Sequence, residues 1–153
     1  MAHVASDEQL LIEQWSDAIW LATDAHHRQF DKEGLPYILH PLEVMQRATT
    51  TEEKIVAILH DVVEDTYVSM LEIRRLFTRD IADAIQAISR DKDKETYFEY
   101  IDRLSKNELA VRIKLIDLSI NMARVPRLPE AEQSIMKRYL KAQKILMHLG
   151  EEV

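Results

Sequence analysis

The sequence predicts an all-α fold, and three observations support that class. Only two glycines and four prolines occur in 153 residues, which leaves few positions suited to hairpin turns. Residues that favour helices, such as Ala, Leu, Glu, Lys and Gln, recur along the whole chain. Capping sequences, among them Thr50-Thr51-Glu52-Glu53, stand in front of apolar stretches with helical spacing.

Length, charge and composition narrow the class of protein further. A chain of 153 residues with 46% hydrophobic content suits one domain over residues 1–153. The net charge of −7 argues against a nucleic-acid surface, which needs clustered Lys and Arg. No cysteine is present, so a metal would be held by imidazole and carboxylate groups. With neither a long apolar run nor a signal sequence, we expect a cytoplasmic protein that binds no membrane.

The first helix is expected to begin with Ser6 or Asp7 as its N-cap and to end near Gln29. Its apolar stripe consists of Leu11, Trp15, Ala18, Ile19, Ala22 and His26. The segment FDKEGLPYILHP contains one glycine and two prolines, which predicts a loop that leads into a helix over 41–49.

A capping box at Thr50 opens the third predicted helix, which is expected to run to about Asp65. Ser69-Met70-Leu71-Glu72 has the same form. Further helices are expected over 70–78, 80–89, 95–105, 107–123 and 130–148, with Asn107 as an N-cap and Gly150 as a C-terminal cap. In the first two of these, the expected core residues are Leu71, Leu76, Phe77, Ile81, Ile85 and Ile88.

The strongest functional signal is His60-Asp61-Val62-Val63-Glu64-Asp65, at the end of the third predicted helix. Residues 55–59 are all apolar, which predicts a buried helix, so the polar groups that follow need a cation or hydrogen-bond partners. Helical spacing brings Glu64 and Asp65 within one turn of the His-Asp pair. Such a group can hold an ion and orient a water for hydrolysis. The alternative is a packed core histidine beside solvated carboxylates.

A second apolar helix, VRIKLIDLSINM, is interrupted by Asp117 and Asn121, which share a face at i, i+4 spacing. A buried carboxylate there needs a metal, a cation or a network of donors, and the alternative to a metal is a salt bridge to Lys114. His40 precedes a proline in the predicted loop, where a rigid turn can aim it at a neighbouring helix. We interpret His26 as a buried, hydrogen-bonded histidine near the site and not as a ligand.

The segments AHHRQFDKEGLPYILHP, ILHDVVEDT and IKLIDLSINM together resemble the hydrolase domain of the RelA/SpoT family, including its small free-standing alarmone hydrolases. The resemblance covers most of the chain. It implies an all-helical HD fold with one buried manganese ion held by His40, His60, Asp61 and Asp117. It also implies that a metal-activated water removes the 3′-pyrophosphate of ppGpp or pppGpp, leaving GDP or GTP. Glu64 and Asp65 match the pair that positions this water or supplies protons, and Asn121 matches an active-site asparagine.

The resemblance also extends to three substrate contacts, Lys32, Lys92 and Tyr139, although solvated lysines and a core tyrosine would look the same. Two departures concern the substrate more than the chemistry. Asp31 stands where many members of the family have an arginine, which affects the nucleotide preferred. The third motif is Asp117-Leu118-Ser119-Ile120-Asn121 where the family usually has Asp-Arg-Leu-His-Asn, so an arginine and a histidine are missing.

Other functions stay open beside hydrolysis of guanosine alarmones. The same chemistry can act on another phosphorylated nucleotide, such as a pppApp-type alarmone or NADPH. A nucleotide-sensing HD module without turnover is a second alternative, although a pure sensor has no need of Glu64 and Asp65. A structural helical bundle would bind no metal. Because the chain stops at Val153, without room for synthetase or regulatory domains, we expect hydrolysis only, with a small nucleotide as partner. The sequence carries no signal for oligomeric state.

Overall fold

The all-α class is confirmed throughout residues 6–148, the part of the chain that the computed structural model describes. The α-helices in this range are α1 (Asp7–Ala25), α2 (Leu39–Arg47), α3 (Thr51–Leu59), α4 (Val62–Asp65), α5 (Met70–Leu76), α6 (Arg79–Ile88), α7 (Tyr97–Leu104), α8 (Glu108–Arg124) and α9 (Ile135–His148). Two 3₁₀ turns, Val125–Arg127 and Glu130–Glu132, connect α8 to α9. The loop after α1 contains one isolated antiparallel bridge, between Phe30 and Pro36.

Short polar side chains determine where many of the helices begin. The N-cap side chains that accept a hydrogen bond from the third helical N–H are Ser6, Thr50, Ser69, Thr78, Thr96 and Asn107. Thr50 and Glu53 form the complete capping box that the sequence predicted. Thr96 and Glu99 form a second complete box. Helix starts are therefore encoded locally.

Several predicted boundaries were wrong. α1 ends at Ala25 and does not reach Gln29, because Arg28 has a left-handed φ of 65° that a right-handed helix cannot continue. α2 begins at Leu39, so His40 lies in a first helical turn and not in a loop. The proline that follows is tolerated there, since its missing N–H would have no helical partner. The last helix begins at Ile135, after the 3₁₀ turn, and Gly150 lies outside the described residues.

The hydrophobic core is centred on α3, whose residues 55–59 are all fully buried. This helix packs against α1, α2, α6 and α8. The predicted stripe of α1 faces it, with Ala18 and Ala22 fully buried. Leu71 and Leu76 were wrongly assigned to the core, because α5 buries Ile73, and Leu71 and Leu76 are exposed.

Contacts among α2, α3 and α8 bring three distant parts of the chain together. The first turn of α2, the end of α3 and the middle of α8 carry the polar residues that are buried in this otherwise apolar region. Over residues 6–148, none of the helices combines the length and the hydropathy that a bilayer crossing requires.

Candidate metal centre

The predicted ligands converge at one place. His40 comes from the start of α2, His60 and Asp61 from the junction of α3 and α4, and Asp117 from the middle of α8. Donor atoms of His40, His60 and Asp61 all lie within 4.8 Å of one another. Oδ1 of Asp117 lies 2.8 Å from Nε2 of His40 and 3.4 Å from Nε2 of His60. These contacts join residues separated by as many as 77 positions in sequence.

The His60-Asp61 pair lies at a break in what the sequence predicted to be one helix. α3 ends at Leu59 and α4 begins at Val62. The imidazole Nδ1 of His60 lies 2.6 Å from the carbonyl oxygen of Ala57, and the backbone N–H of His60 also points to this oxygen, at 3.4 Å. This backbone bond joins residues three apart, as in a 3₁₀ helix, so the last turn of α3 is tighter than an α-helical turn. The turn allows both His60 and the following carboxylate to face the same cluster.

The hydrogen bond to Ala57 also determines the tautomer of His60. A carbonyl oxygen only accepts, so Nδ1 carries the proton and Nε2 of the neutral ring carries a lone pair. That lone pair faces Oδ2 of Asp61 at 3.1 Å and Oδ1 of Asp117 at 3.4 Å. Burial alone would lower the pKa of His60, but Asp61 and Asp117 raise this pKa well above its usual range. The two carboxylates therefore favour a positive charge at Nε2 of His60, either a proton or a metal ion.

Asp117 uses its two oxygens differently. Oδ1 faces the two histidines and accepts a hydrogen bond from Nδ2 of Asn121 at 3.2 Å, whereas Oδ2 pairs with Nζ of Lys114 at 3.0 Å. Burial alone would raise the pKa of Asp117, but Lys114, His40 and His60 hold the pKa well below its usual range. The sequence offered a salt bridge to Lys114 as the alternative to a metal. The geometry accommodates both, because each oxygen has its own partner.

Two aromatic residues support the cluster from the loop side. The Tyr37 hydroxyl donates to Oδ2 of Asp61 at 2.5 Å, and its ring packs against those of His26 and His40. His26 is buried, and its Nδ1 lies 2.7 Å from Oε1 of Gln29, as expected for a packed histidine near the site. Sequence reasoning missed Tyr37. Its signal was its position three residues before His40, on the same short turn.

The acidic pair Glu64 and Asp65 lines the same cavity as the cluster. Oε1 of Glu64 accepts a hydrogen bond from the backbone N–H of Arg90 at 2.8 Å. Burial, together with Asp61 and Glu64, raises the pKa of Asp65 to about 6. Both carboxylates thus lie in the wall of the cavity that borders the cluster.

A cavity lies beside the cluster, and we call it the central cavity. Its volume of about 310 Å³ is within the range of small-ligand sites. Its lining includes the predicted residues Lys92, Asn121 and Tyr139. Lys32 and Asp31 line an adjoining cavity of about 350 Å³, which shares Tyr139 with the central one. The exposed Lys32 there pairs with Glu132 at 3.3 Å. Oδ1 of Asp31 accepts two backbone N–H bonds of its own turn, which explains a carboxylate at that position.

Five of the 20 lysines and arginines of the chain line the central cavity, beside four carboxylates. Those that sequence reasoning did not assign to the substrate are Arg90, Lys114, Arg124 and Arg138. Lys114 and Arg124 lie on α8, Arg138 lies on α9 and Arg90 lies in the loop after α6, so no single sequence motif groups all four. An acidic protein can therefore still place several cations beside an anionic ligand.

The cluster fits a divalent ion in both chemistry and arrangement. It offers imidazole nitrogens and carboxylate oxygens, the donors that zinc, manganese and similar ions accept. The bond from His60 to a backbone carbonyl and the bond from Tyr37 to Asp61 are the supporting contacts that metal ligands usually have. His40, His60, Asp61 and Asp117 can thus hold a divalent metal.

The helical fold and the buried His-Asp cluster define a domain of the HD type. No family model matches the sequence. Over 86% of this chain, the sequence is 32% identical to a guanosine-3′,5′-bis(diphosphate) 3′-pyrophosphohydrolase of Haemophilus influenzae. Over 90% of the chain, it is 29% identical to the bifunctional (p)ppGpp synthase/hydrolase SpoT of Escherichia coli. The chain is a relative of the HD hydrolase domain of these SpoT-type proteins.

The fold agrees with that relationship. A solved metazoan ortholog of SpoT, a protein that hydrolyses ppGpp, has a TM-score of 0.75 with this structure at 22% sequence identity. The match covers 95% of this chain and 88% of that one. The chain spans only 22% of the length of the two bacterial relatives.

Proposed function

We propose that this protein is a manganese-dependent hydrolase that removes the 3′-pyrophosphate of ppGpp or pppGpp and leaves GDP or GTP. The observation that carries the proposal is the convergence of His40, His60, Asp61 and Asp117 beside a cavity with five cations. The similarity to pyrophosphohydrolases over most of the chain supports the same reaction.

The metal, when bound, would lower the pKa of a coordinated water and neutralise charge that builds on the phosphoryl oxygens. The protein's own groups account for the rest. Glu64 and Asp65 accept the proton from the attacking water and return one to the ribose 3′ oxygen as its bond to phosphorus breaks. Asn121 holds Oδ1 of Asp117 in place, and Lys92 contacts phosphate oxygens from the cavity wall.

Substitution separates the roles within the cluster. Asp61→Ala and Asp117→Ala are expected to abolish metal binding, because each removes a carboxylate that lies beside Nε2 of His60 and would bind the ion. Glu64→Ala should retain the metal and lose turnover. Elemental analysis of dialysed protein and assay of released pyrophosphate measure the two properties. Equal metal loss in all three variants would make Glu64 a ligand and contradict this division.

Product analysis of manganese-loaded protein incubated with ppGpp tests the reaction itself. GDP and pyrophosphate are the expected products. The adenosine counterpart and NADPH, assayed in parallel, test the base preference, because Asp31 lies in the adjoining cavity. Binding of ppGpp without release of pyrophosphate would favour a sensing module. Since the proposed substrate is an intracellular nucleotide, we place the enzyme in the cytoplasm.

A further inference from the structure

A group of three residues lines the central cavity apart from the His-Asp cluster: Arg90, Tyr97 and Arg138, the Tyr97 cluster. The guanidinium carbon of Arg138 lies 4.8 Å from the centroid of the Tyr97 ring, and that of Arg90 lies 5.8 Å from it. The cluster joins the loop after α6, the start of α7 and the first half of α9. Three separate elements thus place two guanidinium groups around one phenol.

Two hydrogen-bond donors in this cluster have no partner within residues 6–148. They are the Tyr97 hydroxyl and Nε of Arg90, and both atoms are buried. A buried donor that makes no hydrogen bond destabilises the folded protein, because it has lost its hydrogen bonds to water and gained none in return. Such groups are rare in folded proteins and usually have a ligand or another functional reason. Both donors belong to residues that line the same cavity.

The charges of the Tyr97 cluster are also unbalanced. The other cations that line the cavity have carboxylate partners: Lys92 pairs with Glu64, Lys114 with Asp117 and Arg124 with Glu43. By contrast, within the described part of the chain, Arg90 and Arg138 lie within 4.0 Å of no carboxylate oxygen. Nη2 of Arg90 donates a hydrogen bond to the backbone oxygen of Glu95 at 3.3 Å, but neither guanidinium group has an ion-pair partner there.

We propose that the Tyr97 cluster is an anion subsite that binds the phosphate group of the nucleotide that is not hydrolysed. Guanidinium groups and a phenolic hydroxyl match a phosphate well, because they present several N–H and O–H donors to its oxygens. The role as a subsite for the second phosphate rests on the proposed function, whereas the anion binding itself does not.

The position of the cluster selects a ligand with two separate anionic groups. Nζ of Lys114 lies 3.0 Å from Oδ2 of Asp117 and 6.0 Å from the centroid of the Tyr97 ring, so one side chain separates the two sites. A nucleotide with phosphates on both sides of its ribose can reach both. A nucleotide with a single phosphate fills only one, and the Tyr97 cluster therefore favours the doubly phosphorylated substrate.

Calorimetric titration of metal-free protein with inorganic pyrophosphate tests the subsite without any catalysis. Arg138→Gln and Tyr97→Phe should each weaken pyrophosphate binding by about tenfold, the loss expected for one hydrogen bond to a charged group. Lys141→Gln is the matched control, since Lys141 lies on the same helix and stacks on Phe98 at 4.2 Å without lining the central cavity. It should bind pyrophosphate as the wild type does.

Absence of pyrophosphate binding in the wild type, or equal affinity in all three variants, would overturn the subsite. Melting temperatures verify that the variants are folded, and exposed Arg138 is expected to tolerate its substitution. Hydrolysis of ppGpp is measured separately with manganese. Variant-sensitive pyrophosphate binding without ppGpp hydrolysis would refute the proposed function and leave the anion subsite standing.

Discussion

Lys114→Met tests the electrostatic balance of the buried cluster. The side chains of Lys114 and Asp117 are only 13% and 6% exposed, and their charged atoms are 3.0 Å apart. Removal of one partner from a buried ion pair costs about 3–5 kcal/mol, because the remaining charge is left uncompensated. For a domain of this size, each kcal/mol lowers the melting temperature by about 2–4 °C. The metal-free variant should therefore melt about 6–20 °C below the wild type.

Added manganese should raise the melting temperature of Lys114→Met more than that of the wild type, because the ion replaces the positively charged partner of Asp117 that the substitution removes. Calorimetry with and without manganese measures both effects. Arg112→Met is the matched control on α8, since Arg112 is 54% exposed in its ion pair with Glu53. Its loss should cost about 1 kcal/mol or less. A metal-free melting temperature for Lys114→Met equal to that of the control would refute the reasoning.

Three further substitutions have defined outcomes. Tyr37→Phe removes the donor to Asp61 and should weaken metal affinity about 10–100-fold, as measured by titration calorimetry; unchanged affinity would deny Tyr37 a supporting role. Glu53→Gln should cost about 1 kcal/mol near neutral pH, by urea unfolding. Burial alone would raise the pKa of Glu53, but bonds from Thr50 and Thr49 and the charge of Arg112 lower this pKa overall. Glu53 therefore stabilises the fold fully above its ordinary pKa of 4.5, and this stabilisation is lost as the pH falls through the lowered pKa. A destabilisation by Glu53→Gln that grows toward acid pH would contradict this pH dependence. Gly34→Ala should lower the free energy of unfolding by about 1–2 kcal/mol, measured in the same way, because a φ of +82° is unfavourable for alanine. A steric clash does not contribute, since a Cβ there would meet no atom within 4 Å.

Helix starts could be predicted because their signals are local. Thr50 and Glu53 lie within one turn, and Asn107 caps α8 through the N–H three residues ahead. Helix ends were harder to predict. The helix breaks after Leu59, where the imidazole of His60 bonds to the Ala57 carbonyl oxygen, although the sequence there remains suited to a helix. Burial of Ile73 in place of Leu71 depends on which side of α5 meets the core.

Some residues of the candidate site could likewise be predicted from the sequence, and others could not. Buried charge on two apolar helices made Asp61 and Asp117 visible in the sequence, and the family resemblance added His40. The sequence suggested Lys114 only as an alternative to a metal, as a salt-bridge partner of Asp117. In the structure, Lys114 contacts Oδ2 of Asp117 and the histidines face Oδ1. Arg90, Tyr97 and Arg138 had no signal in any motif.

The sequence by itself determined the helical class, the starts of many helices and the polar residues that an apolar helix cannot bury alone. These depend on hydrogen bonds and spacings within a few residues, so the chain encodes them locally. Only the tertiary structure decided which polar groups meet. Packing of α2, α3 and α8 assembles the His-Asp cluster, and the approach of α7 and α9 brings Arg138 to Tyr97. Distances between residues far apart in sequence follow from side-chain packing in the core, which no local pattern specifies.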